Sequence, residues 1–185
     1  MHSKIKKIPI VGSLFRIANA YVYEGDIINN IQVAPWHAWM NKIGKKLLFT
    51  FILTVVLVVI NSLFSLSEWS ASDAIISIFP SLLGFGIGVF ALLFIIPNHI
   101  YKLIQKEKDS GNIKFGPEII LVDMGYPLSV FAVILFWAGV NKLIDISIFN
   151  FISKWFFFYG MSMVFELVSS LFGISTLITK KRNKE

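Results

Sequence analysis

The sequence predicts an all-α, polytopic integral membrane protein with four transmembrane helices and N-terminal interfacial amphipathic helices. Three observations predict it. First, apolar residues come in long unbroken runs. The stretch from Ala74 to Ile96 carries no charge, and as a helix it would measure about 35 Å, enough to cross a hydrocarbon core of roughly 30 Å. Second, 56% of the 185 residues are hydrophobic and only 15% are charged, against about 25% charged in soluble domains. Third, the charge is one-sided. With four spans and both ends on one face, Lys142 and Lys154 alone among the 17 Lys and Arg residues fall on the other face. By the positive-inside rule the crowded face is cytoplasmic. The Ile-, Phe-, Asn- and Lys-rich composition suits an AT-rich prokaryotic genome, so the expected location is a prokaryotic plasma (inner) membrane with both termini cytoplasmic.

The runs do not alternate apolar and polar residues, which excludes a transmembrane barrel. Cysteine is absent, which excludes a disulfide framework and thiolate metal sites.

Residues 1–46 read as a cytoplasmic and interfacial segment. Ile8, Val11, Phe15, Ala18 and Val22 share one helical face. Such a helix either lies in the membrane interface, drawn by anionic lipid, or packs on the protein from the solvent side. Trp36 and Trp39, followed by Lys42, Lys45 and Lys46, mark a membrane boundary, because tryptophan sits at headgroup level and lysine snorkels outward. His37 between the tryptophans reads as a polar contact or a pH-sensitive group.

The transmembrane domain, 47–178, is expected to hold spans at about 47–66, 74–96, 127–144 and 155–178. Asn61 is the one strongly polar residue of the first span. A short acidic hairpin follows, with Trp69 as an interfacial anchor. In the second span Ser77, Ser81, Gly84, Gly88 and Ala91 recur at steps of 4, 3, 4 and 3. They form a face where another helix can come close. Pro80 is expected to loosen or kink the helix. After Pro97 comes the main polar loop.

The third span is expected to begin near Pro127, at the favoured first helical position, with Asp123 at the interface. The alternative is a helix from Ile119 broken at Gly125-Tyr126-Pro127, with Asp123 buried. The fourth span carries a second stripe of small and polar residues, Ser162, Glu166, Ser169, Gly173 and Thr176. Residues 179–185 form a basic tail.

Glu166 is the sharpest candidate for chemistry. Read at mid-span, its carboxylate would cost on the order of 3 kcal/mol, so it must be neutral, paired or wet. Proton relay, pore lining and cation coordination are the functional readings; a helix–helix hydrogen bond is the structural one. Asn61 is an available partner, and no basic residue stands at matching depth. His2, His37 and His99 are too scattered for a metal pair, and no catalytic motif surrounds a serine. Neither an enzyme, nor a cofactor, nor a metal, nor direct nucleic-acid binding is expected. The expected partners are the lipid bilayer, further copies of the chain, and a cytosolic protein on the basic face.

The run Pro80-Ser81-Leu82-Leu83-Gly84-Phe85-Gly86-Ile87-Gly88, in a four-span layout with a basic cytoplasmic face, resembles small bacterial membrane subunits of anti-phage defence cassettes such as the Kiwa system. The resemblance covers one span and the general layout. It implies a membrane-bound sensor or effector working with a soluble partner, and it carries over no functional residue.

Overall fold

The structure, a computed structural model, describes residues 8–25, 32–65, 69–92, 98–111, 116–144 and 146–182. They form six helices in order: α1 (Val11–Val22), α2 (Trp36–Leu63), α3 (Ala71–Leu92), α4 (Asn98–Asp109), α5 (Glu118–Leu143) and α6 (Ser147–Arg182). The described residues contain no strand. Helices α2, α3, α5 and α6 are each long and apolar enough to cross a bilayer. The chain is an all-helical, polytopic membrane protein.

Three helices begin well before the expected spans, and one of them, α2, runs unbroken from Trp36. Helix α5 starts at Glu118 and passes through Gly125-Tyr126-Pro127 without a break, so neither a start at Pro127 nor a broken helix describes it. Proline is tolerated inside membrane helices because neighbouring groups and local adjustments satisfy the freed carbonyl. Helix α6 starts at Ser147, not near Trp155, and continues to Arg182 into the basic tail. Helix α3 likewise runs through Pro80. Residues 93–96 at the end of the second expected span, Leu66 of the first, and the termini 1–7 and 183–185 lie outside the described residues.

Helices α3, α5 and α6 enclose the core. Ile75 and Phe79 of α3, Phe131, Ile134 and Ala138 of α5, and Met163 of α6 are at most 2% exposed. The Phe79 ring meets Phe131 edge-on at 5.5 Å between centroids. It sits over Gly160, where an added methyl group would overlap the ring. Gly86 plays the same part beneath Leu128. These are the glycines that let helices approach.

The expected stripe on α3 is not the face that packs inside this chain. Ser77, Ser81, Gly84, Gly88 and Ala91 are all exposed, and nothing lies within 4 Å of a methyl group placed on Gly84 or Gly88. The buried face of α3 is Ala71, Ser72, Ile75, Phe79 and Gly86. Spacing identified a face with small residues; bulky Phe79, seated on a glycine of the facing helix, determines which face turns inward.

Helix α2 joins through one narrow face. Thr50 and Thr54 are its buried residues between Lys45 and Leu63, each bonding back to a carbonyl one turn earlier. The Trp155 indole donates to the Leu47 carbonyl and the Thr50 hydroxyl, both at 3.2 Å. Ile43 is buried as well, and much of the remainder, including Leu48, Phe49 and Val56, is exposed, as lipid-facing residues are.

Helix α1 lies against α5 and buries its second half, Asn19 to Val22. Beyond Val22, Glu24 takes the left-handed conformation, φ +53°, with its N–H on the Tyr21 carbonyl at 3.2 Å. The N–H of Gly25, φ +78°, reaches the Ala20 carbonyl at 3.0 Å, which completes the paired bonds of a Schellman stop. A methyl group at Gly25 would also strike the Glu118 backbone within 3.0 Å. Of the face read from spacing, Val22 is buried, Phe15 stacks on Trp39 at 5.7 Å, and Ile8 and Val11 stay exposed. The segment packs on the protein through Gly12, Phe15 and its last residues, while Arg16 stays exposed.

Candidate functional site

Polar side chains gather in two layers of the bundle, separated by the apolar core. One layer joins α3, α5 and α6. Asn141, 3% exposed, donates through Nδ2 toward Ser72 at 2.6 Å, Asn150 at 2.9 Å and Ser153 at 3.0 Å. The Trp137 indole also donates to Ser153 at 3.2 Å. Beside this layer Lys142 pairs with Asp73 at 2.6 Å across an exposed surface. Asn141 falls near the end of the expected 127–144 span and is not among the residues the sequence singles out. A single Asn at the end of an apolar run gives no sign that three hydroxyl and amide groups converge on it.

The second layer is the candidate site. Glu166 of α6 is bonded by both the Tyr21 hydroxyl and the Lys46 ammonium, and Lys46 also donates to the Tyr21 hydroxyl at 2.7 Å. Three elements far apart in the chain thus close one triangle. Helix geometry explains why the two charges meet. Side chains lean toward the start of their own helix. Helices α2 and α6 run antiparallel, so Lys46 and Glu166 lean toward each other. One wide turn at Met40–Gly44, where the Lys45 N–H reaches back to the Met40 carbonyl, offsets the register. It allows Trp39 to face Phe15 while Lys46 faces Glu166; such single wide turns often accompany functional sites.

Tyr21 is fully buried. Its ring stacks on that of Tyr126 of α5, centroids 4.2 Å apart and planes 10° apart. The Tyr126 hydroxyl shares a hydrogen bond of 2.7 Å with that of Tyr159 on α6. Burial, then the bond to Glu166, pushes the Tyr21 hydroxyl well above the ordinary phenol range, so it stays a neutral donor. Lys42 pairs with Glu24 at 3.4 Å and stands 5.1 Å above the Tyr21 ring.

This layer is off-centre in the bundle. Thirteen residues separate Ser153 from Glu166 on α6, a rise of roughly 20 Å. Two charged helices pack at the level of Glu166. Helix α1 reaches it through Tyr21 while exposing Arg16. Helix α4 packs Ile104 against Ile120, Met124 and Leu167 while exposing Lys102, Lys106 and Lys108. The expectation of a mid-span acid with no base at its depth is therefore corrected. Counting from Trp155 to 178 places Glu166 at the centre, whereas the apolar part of α6 runs Ser147–Gly173 and holds Glu166 in its last third, and a snorkelling lysine meets carboxylates that its backbone does not.

Beside the triangle lies a shallow cavity of about 580 Å³ lined by Lys46, Asp123, Ser162, Phe165, Glu166, Ser169 and Ser170. Asp123 is half-buried, and its Oδ1 is buried with no hydrogen-bond partner.

The site thus brings together Glu166, Asp123, Lys46, Ser162 and Ser169 from the sequence reading. Asn61 is not among them: it lies fifteen residues beyond Lys46, about 22 Å along α2. Gly173 is exposed, Trp36 is 77% exposed, and Trp69 packs edge-on to Phe157 at 5.0 Å. His37 and Lys45 are exposed. Tyr21, Tyr126 and Tyr159 were missed; Tyr21 lies off the apolar stripe of its own segment, and nothing local signals its partners. Among the described residues no three His, Asp or Glu side chains gather as metal ligands. Compared with protein-family models, with curated proteins and with solved structures, the chain matches none.

Proposed function

We propose that this protein is a non-enzymatic subunit of a prokaryotic plasma membrane, self-associating through its membrane helices and holding a soluble partner at its cytosolic end. The observation that carries this reading is the Tyr21–Lys46–Glu166 triangle. It ties a charged helix outside the spans to the first and last spans, so a load on α1 is transmitted to the bundle. The one-sided charge supports cytosolic termini. The exposed small face of α3 supports self-association, since Gly84 and Gly88 have room for a second backbone. A membrane sensor or effector of bacterial anti-phage defence, working with a soluble protein, fits this plan.

The test is the mass of the purified particle in detergent. Gly84→Leu combined with Gly88→Leu should reduce an oligomer to a monomer. An unchanged oligomer, or a monomeric wild type, counts against the reading.

The second reading is a small ion channel or proton-coupled transporter using Glu166. The cavity beside Glu166 and Asp123 favours it. The apolar core between the two polar layers counts against a path through one chain. Proteoliposomes decide: under the first reading they carry no flux, and under the second they carry one that Glu166→Gln abolishes.

A further inference from the structure

The cavity beside Glu166 combines features that no other part of the described chain shares. Its lining holds two carboxylates, Asp123 and Glu166, against one ammonium, Lys46, which leaves one acid in excess. Glu166 is committed to Lys46 and Tyr21. Asp123 is not committed, and its buried Oδ1 has no donor. A buried acceptor without a donor costs on the order of 1–3 kcal/mol, so the site favours a ligand that brings an N–H. Ser162, Ser169 and Ser170 also line the cavity; the Ser162 hydroxyl donates to the Tyr159 carbonyl at 2.7 Å, which leaves those of Ser169 and Ser170 for a ligand. Lys46 keeps about a third of its side chain exposed, which leaves its ammonium able to face an anion.

The remaining wall is apolar and faces outward. Phe165 is 72% exposed, and Val168 and Phe172 follow along the same side of α6 at 57% and 74%. On a membrane helix such residues meet acyl chains. The polar cavity therefore opens sideways onto the lipid-facing surface, off-centre and beside charged helices, toward the headgroup region.

We propose that this cavity binds the headgroup of a phospholipid bearing a primary ammonium, as in phosphatidylethanolamine. The ammonium donates to Asp123, the phosphate accepts from Lys46 and the hydroxyls of Ser169 and Ser170, and an acyl chain runs along Phe165 and Phe172. The volume of about 580 Å³ lies within the range of small-ligand sites, roughly 300–1,000 Å³. The chemistry discriminates between headgroups: a choline headgroup has the same charge but no N–H, so it leaves the Asp123 acceptor unsatisfied.

The experiment is native mass spectrometry of the full chain released from nanodiscs containing equal amounts of phosphatidylethanolamine and phosphatidylcholine. Retention of the ethanolamine lipid should exceed that of the choline lipid roughly tenfold, as expected for one hydrogen bond to a charged group. Asp123→Ala should erase the preference. The N-methyl and N,N-dimethyl lipids, tested on the wild-type protein, should fall in between, which reads the same chemistry with no change to the fold. Equal retention of the two lipids overturns the proposal, as does a preference that survives Asp123→Ala. Binding of free phosphoethanolamine as tightly as the lipid overturns the lipid assignment. None of these readouts depends on self-association or on a soluble partner.

Discussion

The ring of Tyr21 lies flat on the ring of Tyr126, 4.2 Å away, while its hydroxyl reaches past that ring to Glu166. Stacking and hydrogen bonding thus hold α1 by two separable means. The stack fixes where the helix sits. The hydroxyl links it to the charges of α2 and α6.

Tyr21→Phe separates these terms, because it keeps the stack and removes the hydroxyl. A hydrogen bond to a charged group contributes about 1.5–3 kcal/mol. Hydrogen exchange over Val11–Val22 should quicken about tenfold, with the four long helices unchanged. Exchange in α1 as slow as in the wild type would show that the hydroxyl does not hold it.

The Lys46–Glu166 pair is half in contact with its surroundings, at 34% and 20% side-chain exposure. Its coupling should lie between those of exposed and fully buried pairs. A double-mutant cycle with Lys46→Met and Glu166→Gln should give about 1 kcal/mol, with each single variant less stable than the double. A coupling of zero in thermal or denaturant unfolding would mean the pair contributes nothing.

Glycine substitutions should divide by position. Gly160→Ala must push against Phe79 and should cost about 1–3 kcal/mol through overpacking. Gly84→Ala meets nothing in the chain and gains helix propensity of up to about 1 kcal/mol. Unfolding of the two variants side by side checks the order, and equal effects would contradict the packing described.

Alkaline pH should release α1. A free tyrosine ionises near 10.0, and burial with the Glu166 bond raises that value in the folded protein. A group whose pKa rises on folding stabilises the fold fully below its unfolded value, and this contribution is lost as pH climbs through the folded one. Exchange in α1 should therefore be insensitive to this group from neutral pH up to about 10 and quicken above it, once corrected for intrinsic rates. In Tyr21→Phe that added step should vanish.

The four crossings were legible because lipid demands long apolar helices, and that demand is written locally. Helix starts were less so. Glu118 and Ser147 open helices ahead of the expected starts because isolated polar residues, Asp123 in α5 and Asn150 and Lys154 in α6, lower local hydropathy without ending a helix. Faces were harder still. Ser77, Ser81 and Gly84 share a face by spacing, yet the chain turns Phe79 inward instead, because the choice depends on Gly160 of a helix distant in sequence. The triangle was least visible of all. Tyr21 and Glu166 are 145 residues apart, and Lys46 and Glu166 are 120 apart. Periodicity reveals which side of a helix is distinctive and leaves unsaid what it meets. The position of Glu166 was recoverable in principle, since counting the apolar part of α6 as Ser147–Gly173 moves it off centre.

The account stands most directly on how the chain threads the bilayer. Because it has no cysteine, single cysteines can report sidedness. Ser70 precedes α3 and Ser110 follows α4, and both are exposed. With a membrane-impermeant thiol reagent on intact cells, Ser70→Cys should label and Ser110→Cys should label only after permeabilisation. Labelling of both in intact cells, or the reverse pattern, would contradict the account.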